Sequence, residues 1–180
     1  MKATGIVRRI DDLGRVVIPK EIRRTMRIRE GDPLEIFTDN DGEVVFKKYS
    51  PVGEMSPFAS QYADVMSRAC SLPVLICDRD HVVAAAGVPK KEFVDRRISG
   101  QMEEMMEQRH THIAKAGDQK RLQPVEGIDR YAGVAVPIVA AGDVTGAVCL
   151  MLPESGAVPG EGDIKLTQVA AAFLGKQMEE

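Results

Sequence analysis

Between Thr4 and Lys48 the sequence breaks into pieces too short to build a core on their own, and this limits the fold more than any other feature. Thr4–Ile10 (TGIVRRI) has strand character through Ile6, Val7 and Ile10, and Arg15–Ile18 (RVVI) reads as a second strand. Asp11-Asp12-Leu13-Gly14 between them is a turn signal. Pro19 then opens a short helix, where its missing N–H costs nothing, and Ile22 and Met26 share one face at i,i+4. Leu34–Thr38 (LEIFT) and Glu43–Lys48 (EVVFKK) follow as strands around a hairpin signal, Asn40-Asp41-Gly42. The outcome is a β-β-α-β-β unit with few apolar side chains and a helix of one or two turns, which is unstable in isolation. A unit that small rarely supplies its own core, and oligomerisation is one remedy. At least an intimate dimer is expected.

Charge divides the chain in the same place. Residues 1–29 carry nine basic side chains and three acidic ones, although the whole chain has a net charge of −3. Residues 1–50 total 11 basic and 9 acidic side chains, and residues 51–180 hold the other 13 basic and 18 acidic, a net of −5. The seam falls at Lys47-Lys48-Tyr49-Ser50-Pro51, where a strand-like run meets SPVGEMSP. Domain 1 is therefore expected over 1–50, a linker over 51–56 and domain 2 over 57–180.

In the second half Ser56-Pro57 has the chemistry of an N-cap and first helical residue. Phe58, Tyr62, Val65, Ala69 and Leu72 then form one helical stripe, with Ala59, Ala63, Met66 and Cys70 beside it. So broad an apolar face can cover a sheet and also meet a partner helix; core packing and a dimer seam both account for it. Strands are expected at Val74–Cys77, Val82–Ala86, Tyr131–Ala140 and Val144–Leu152, with Ala141-Gly142-Asp143 as a hairpin turn. Lys90–Ala116 reads as mixed helical and irregular, and a helix starts near Asp163. An antiparallel sheet covered by the terminal helices is the simplest assembly, so the fold class is α+β.

The basic cluster gives the fold nothing. Arg23 and Arg27, like Lys20 and Arg24, are like-charged i,i+4 pairs, each costing ~0.2–0.5 kcal/mol. A solvated charged face is the plain explanation. A phosphate-binding surface is the sharper one, since each neutralised phosphate releases counterions. Arginine outnumbers lysine seven to two within residues 1–29, which favours forked grips on phosphate or guanine. No aromatic residue precedes Phe37, so stacking platforms for single strands or RNA are missing. Double-stranded DNA is the expected partner.

TGIVRRIDDLGRVVIPKEIRRTMRIREGDPLEIF followed by DGEVVFKKY resembles the AbrB-type swapped-hairpin DNA-binding domain of bacterial transition-state and sporulation regulators. The similarity covers residues 1–49 and is most specific in GRVVIPKEIRR. VPIVAAGDVTGAVCLM resembles the hairpin common in GAF domains, which implies a GAF-like C-terminal domain. The resemblance implies an N-terminal β-barrel in which hairpins of two chains interleave, and a second pairing through the GAF-like domains to give a tetramer. It places DNA contacts at Arg8, Arg15, Arg23 and Arg24, with Arg9 and Lys2 as phosphate contacts. The function implied is transcriptional regulation of sporulation, with a C-terminal domain able to sense a small molecule that the sequence does not identify.

Other classes have less in their favour. The apolar runs fall short of a membrane span, and the Arg-rich segment after Met1-Lys2 has no signal-peptide core, so a cytoplasmic protein is expected. Cys70, Cys77 and Cys149 sit in apolar company and read as buried, reduced thiols. His110 and His112 lack an accompanying ligand cluster at metal spacing, and no cofactor is expected. Two alternatives stay open: an antitoxin, since some share the swapped-hairpin head, and a thiol-dependent enzyme on a GAF fold. The first meets a patterned 130-residue domain where a short acidic tail is usual. The second finds no base near any cysteine and no P-loop, HExxH or GxSxG.

Overall fold

The computed structural model describes residues 4–179, and the chain divides into two compact units, residues 1–49 and 50–180. In the first unit two turns are built alike. Asp11 Oδ1 accepts from Leu13 N (3.0 Å) and Arg15 N (2.8 Å), and Asp39 Oδ1 accepts from Asp41 N (3.1 Å) and Glu43 N (2.9 Å). Each turn closes on a glycine in the left-handed region, Gly14 at φ +75° and Gly42 at φ +83°. The second turn feeds an antiparallel ladder between β1 (Leu34–Thr38) and β2 (Val44–Lys48), with Ile36 opposite Phe46.

The first turn feeds none. Past the Asp11 N–H to Arg15 carbonyl bond (3.0 Å), residues 4–10 and 15–18, expected as strands, form no ladder with other described residues. A strand needs a mate, and neither segment meets one among the described residues. The helix of this unit is α1 (Lys20–Met26), entered from Pro19 and stopped by Arg27, whose backbone is left-handed at φ 51°.

This unit has almost no interior. Pro19 alone is buried among residues 4–49, while Val7 is 84% exposed, Leu13 70%, Val17 71% and Ile36 61%.

The second unit is a five-stranded antiparallel sheet in the order β4-β3-β7-β6-β5. Its strands are β3 (Val74–Asp78), β4 (Val82–Ala86), β5 (His112–Ile113), β6 (Ala132–Ala140) and β7 (Asp143–Met151). On one face lie α2 (Pro51–Glu54), α3 (Ser56–Cys70) and α6 (Glu161–Gln177), packing Val52, Ala59, Met66 and Leu174 onto Val74, Ile76, Val148 and Leu150. On the other lie α4 (Lys90–Phe93) and α5 (Gly100–Glu107), whose Phe93, Met102 and Met106 cover Leu75, Cys77, Ala135 and Cys149. Alternate residues of β3 thus serve two cores, as period-two side chains require.

Local structure differs from expectation in three places. Residues 51–56, expected as a linker, are largely helical: Ser50 caps α2 by accepting from Gly53 N (2.9 Å) and donates to Asp78 (2.8 Å), and Val52 is buried at 2% exposure. Ser56 is the first residue of α3 rather than its cap, because Met55 holds that place. The β6–β7 hairpin turns on Ala141 (φ 49°) and Gly142 (φ 88°) alone, so Asp143 already pairs with Ala140.

The thiols lie in this framework. Burial pushes Cys77 up to about 12 and raises Cys149 as well; the half-buried Cys70 is also raised by burial. Such thiols are protonated and shielded at neutral pH. Among the described residues no cluster of potential metal ligands occurs, and no helix is long and apolar enough to cross a membrane.

Two glycines sit where backbones approach closely, Gly175 between helix and sheet and Gly146 between neighbouring strands. A Cβ on Gly175 of α6 would overlap the Val139 carbonyl oxygen, and one on Gly146 of β7 would overlap that of Cys77. Gly162 of the same α6 has open space around its Cβ position. In thermal unfolding of the full chain, Gly175→Ala and Gly146→Ala should each cost about 2 kcal/mol or more. Gly162→Ala should be neutral or stabilising by up to about 1 kcal/mol. Equal effects at all three positions would contradict this account of the packing.

Candidate nucleic-acid interface

Six cations of the first unit sit on three backbone pieces. Arg8 and Arg9 lie on the segment entering the first turn, Arg15 at its exit, and Lys20, Arg23 and Arg24 on α1. All six are exposed. Lys2, also expected at this surface, lies outside the described residues.

Arg15 is oriented by the turn that carries it. Its Nε donates to Asp11 Oδ2 at 2.8 Å, while its own N–H binds the other carboxylate oxygen. Those two groups, the backbone N–H first and the guanidinium second, hold the Asp11 carboxyl below its usual range, with the Leu13 N–H adding to the effect. Since the folded pKa is depressed, these bonds are intact at neutral pH and are lost as acid protonates the carboxylate. The Arg15 side chain nevertheless remains 69% exposed, so its outer nitrogens face solvent. One carboxylate fixes the turn and aims the cation.

The other arginines are not so constrained. Arg8 donates from Nη1 to the Val7 carbonyl (3.2 Å), and Arg8, Arg9, Arg23 and Arg24 form no ion pair with another described residue. On α1, Thr25 Oγ1 donates back to the Glu21 carbonyl (2.9 Å). The helix exit is tied to β2: Lys48 Nζ donates to the Arg27 carbonyl (2.9 Å) and lies 3.8 Å from Asp32, which accepts from Arg29 N (2.8 Å). That anchor sets α1 against the hairpin.

Sequence reasoning assigned no role to Asp11 beyond the turn, nor to Lys48. The Asp11 signal was present as a carboxylate four residues before an arginine across a D-x-x-G turn. Lys48 carried none, because its partner is 21 residues away. Phe37, the first aromatic in the chain, lies under Lys47 at 4.5 Å from ring centroid to Nζ.

A surface of exposed arginines, most of them outside any ion pair, fits a polyanion, and similarity to known proteins narrows the field. The family described as "Stage V sporulation protein T C-terminal, transcription factor" matches residues 54–179. A second family, "Antidote-toxin recognition MazE, bacterial antitoxin", matches residues 7–54. Stage V sporulation protein T of Bacillus subtilis is 52% identical over 182 residues, covering 100% of both chains. The transition state regulatory protein AbrB of the same organism is 61% identical over 51 residues, which are 28% of this chain and 52% of AbrB. In fold, the second unit resembles the GAF domain of an Acinetobacter phosphoenolpyruvate-protein phosphotransferase: TM-score 0.56, 12% identity, 73% of this chain and 84% of that one. With one relative aligned from end to end and the family's C-terminal domain matched across almost the whole second unit, the chain belongs to the stage V sporulation protein T family.

Proposed function

We propose that this protein is a transcriptional regulator of sporulation that binds double-stranded DNA through Arg8, Arg9, Arg15, Arg23 and Arg24, together with Lys2. The observation that carries the reading is a set of exposed arginines, all but Arg15 without an ion-pair partner among the described residues, on a unit 61% identical to a transition-state regulator. Such a protein works at the nucleoid, in the cytoplasm. The unit binds as a dimer whose hairpins interleave. Support comes from the two segments at 4–10 and 15–18 that find no mate in their own chain, and from Val7, Leu13, Val17 and Ile36 standing in solvent. A second copy supplies both the missing ladder and the missing interior.

The C-terminal domain, on this reading, joins dimers into a tetramer and senses a small molecule. Support for the joining is an apolar band on α3 and α6: Val65 is 67% exposed, Val169 60% and Phe173 43%, beside Tyr62 stacked on Phe173 at 5.7 Å. An antitoxin remains the second reading, favoured by the match over residues 7–54. It leaves the transcription-factor match over residues 54–179 without a role. The raised thiols weigh against a cysteine-dependent enzyme.

Titrating duplex promoter DNA across a salt series tests the arginine surface. Log affinity should fall linearly with log salt, and Arg23→Ala/Arg24→Ala should flatten the slope by about 0.9 for each phosphate left without its cation. Equal slopes for both proteins would reduce the cluster to a solvated face. Asp11 offers a finer test. Asp11→Asn keeps an acceptor for the turn, whereas Asp11→Ala removes it and should weaken DNA binding about fivefold to tenfold more; equal loss in both would mean the turn does not aim Arg15. For the C-terminal seam, Val65→Glu/Val169→Glu should convert tetramer to dimer in light scattering with the head still able to bind DNA.

A further inference from the structure

One cavity of the second unit has polar chemistry that nothing above uses. It has a volume of about 370 Å³, in the range of small-molecule sites, and lies between β5 with the segment following it and residues 152–158, which lead toward α6. Leu152 and Val158 give it apolar wall, and His112, Lys115, Asp118 and Arg121 give it polar groups.

His112 is the feature that asks for a ligand. It stands half-buried at the start of β5, and its Nε2 is buried without any partner among the described residues. Burial pushes its pKa below the ordinary imidazole value, which favours the neutral ring. In the neutral tautomer that carries its proton on Nδ1, Nε2 is a lone-pair acceptor. A buried acceptor left unmet is unfavourable, and a hydroxyl of a bound molecule would meet it.

Charge fixes the rest. Asp118 is committed to the loop, accepting from Lys115 N at 2.8 Å. Lys115 and Arg121 are exposed, and Arg121 is steadied over the Tyr131 ring at 5.6 Å. Among the residues that line the cavity, two cations stand against one occupied carboxylate, with Asp129 outside the lining and taken up by the Tyr131 hydroxyl (2.6 Å), so the wall itself is positive although residues 51–180 carry a net charge of −5.

We propose that this cavity binds a small organic anion carrying a hydroxyl group, with Lys115 and Arg121 on the anion and His112 Nε2 accepting from the hydroxyl. The proposal rests on the reading of the C-terminal domain as a sensor and gives that sensor a ligand class. The anionic group is a carboxylate or a phosphate, and the two are separable by experiment.

The chain has three histidines, so imidazole ¹H–¹⁵N spectra of the full-length protein resolve His112. Malate and glycerol 3-phosphate, added separately, are the probes. A saturable shift of the His112 Nε2 resonance is expected with at least one of them, and Arg121→Gln should weaken that binding about tenfold or more. Saturation by malate alone marks a carboxylate site, and by glycerol 3-phosphate alone a phosphate site. No saturable shift from either probe at concentrations on the order of 10 mM overturns the proposal, since such binding would be too weak for a sensor. Equal affinity in Arg121→Gln overturns it too. These spectra need no DNA, so their outcome is independent of whether the arginine surface binds duplex.

Discussion

A head in which Pro19 is the only buried residue among those described cannot hold its shape by the usual means. The hydrophobic effect needs apolar surface removed from water, and here Val7, Leu13, Val17 and Ile36 remain in it. What the single chain does supply is local: two Asp-anchored turns, one hairpin ladder, and a lysine clamp from β2 to the end of α1. These fix the directions in which arginines leave the backbone but do not close a core. In the proposed dimer the second chain provides that closure, and the DNA-facing cations take their mutual positions from it.

The second domain is built the opposite way. Each of its sheet faces is covered, and β3 sends Val74 and Ile76 into one core and Leu75 and Cys77 into the other. At Gly146 and Gly175 the backbone approach leaves no room for a methyl group. A domain this tightly layered suits the role of rigid base in the proposed assembly.

Legibility from sequence followed the same division. The D-x-x-G turns, the β1–β2 hairpin and the strands β3, β4, β6 and β7 were visible because their signals are local: glycine and aspartate at fixed offsets, and alternating apolar residues. The strands expected at 4–10 and 15–18 have the right residues but no mate among the described residues, and periodicity does not reveal where a partner strand will come from. The linker reading of 51–56 followed Pro and Gly, whereas Ser50 uses them to start a helix that buries Val52. At the candidate site the arginines were legible by type and crowding. The aim given to Arg15 by Asp11 was only half visible, and the orphaned nitrogen of His112 could not be inferred at all, since it depends on segments far apart in the chain that wall the same cavity.

Only Tyr49 and Ser50 separate the end of β2 from the start of α2. A join of that length ties the fate of the head to whatever holds the C-terminal domains together. Two heads carried by associated C-terminal domains meet at an effective concentration on the order of millimolar, set by the tether and not by how many molecules the cell contains. In the proposed tetramer two complete head dimers are linked in this way, so engagement of a second DNA segment becomes a first-order event, insensitive to dilution. Release of the C-terminal association would then leave each head dimer able to bind DNA but without that bridging.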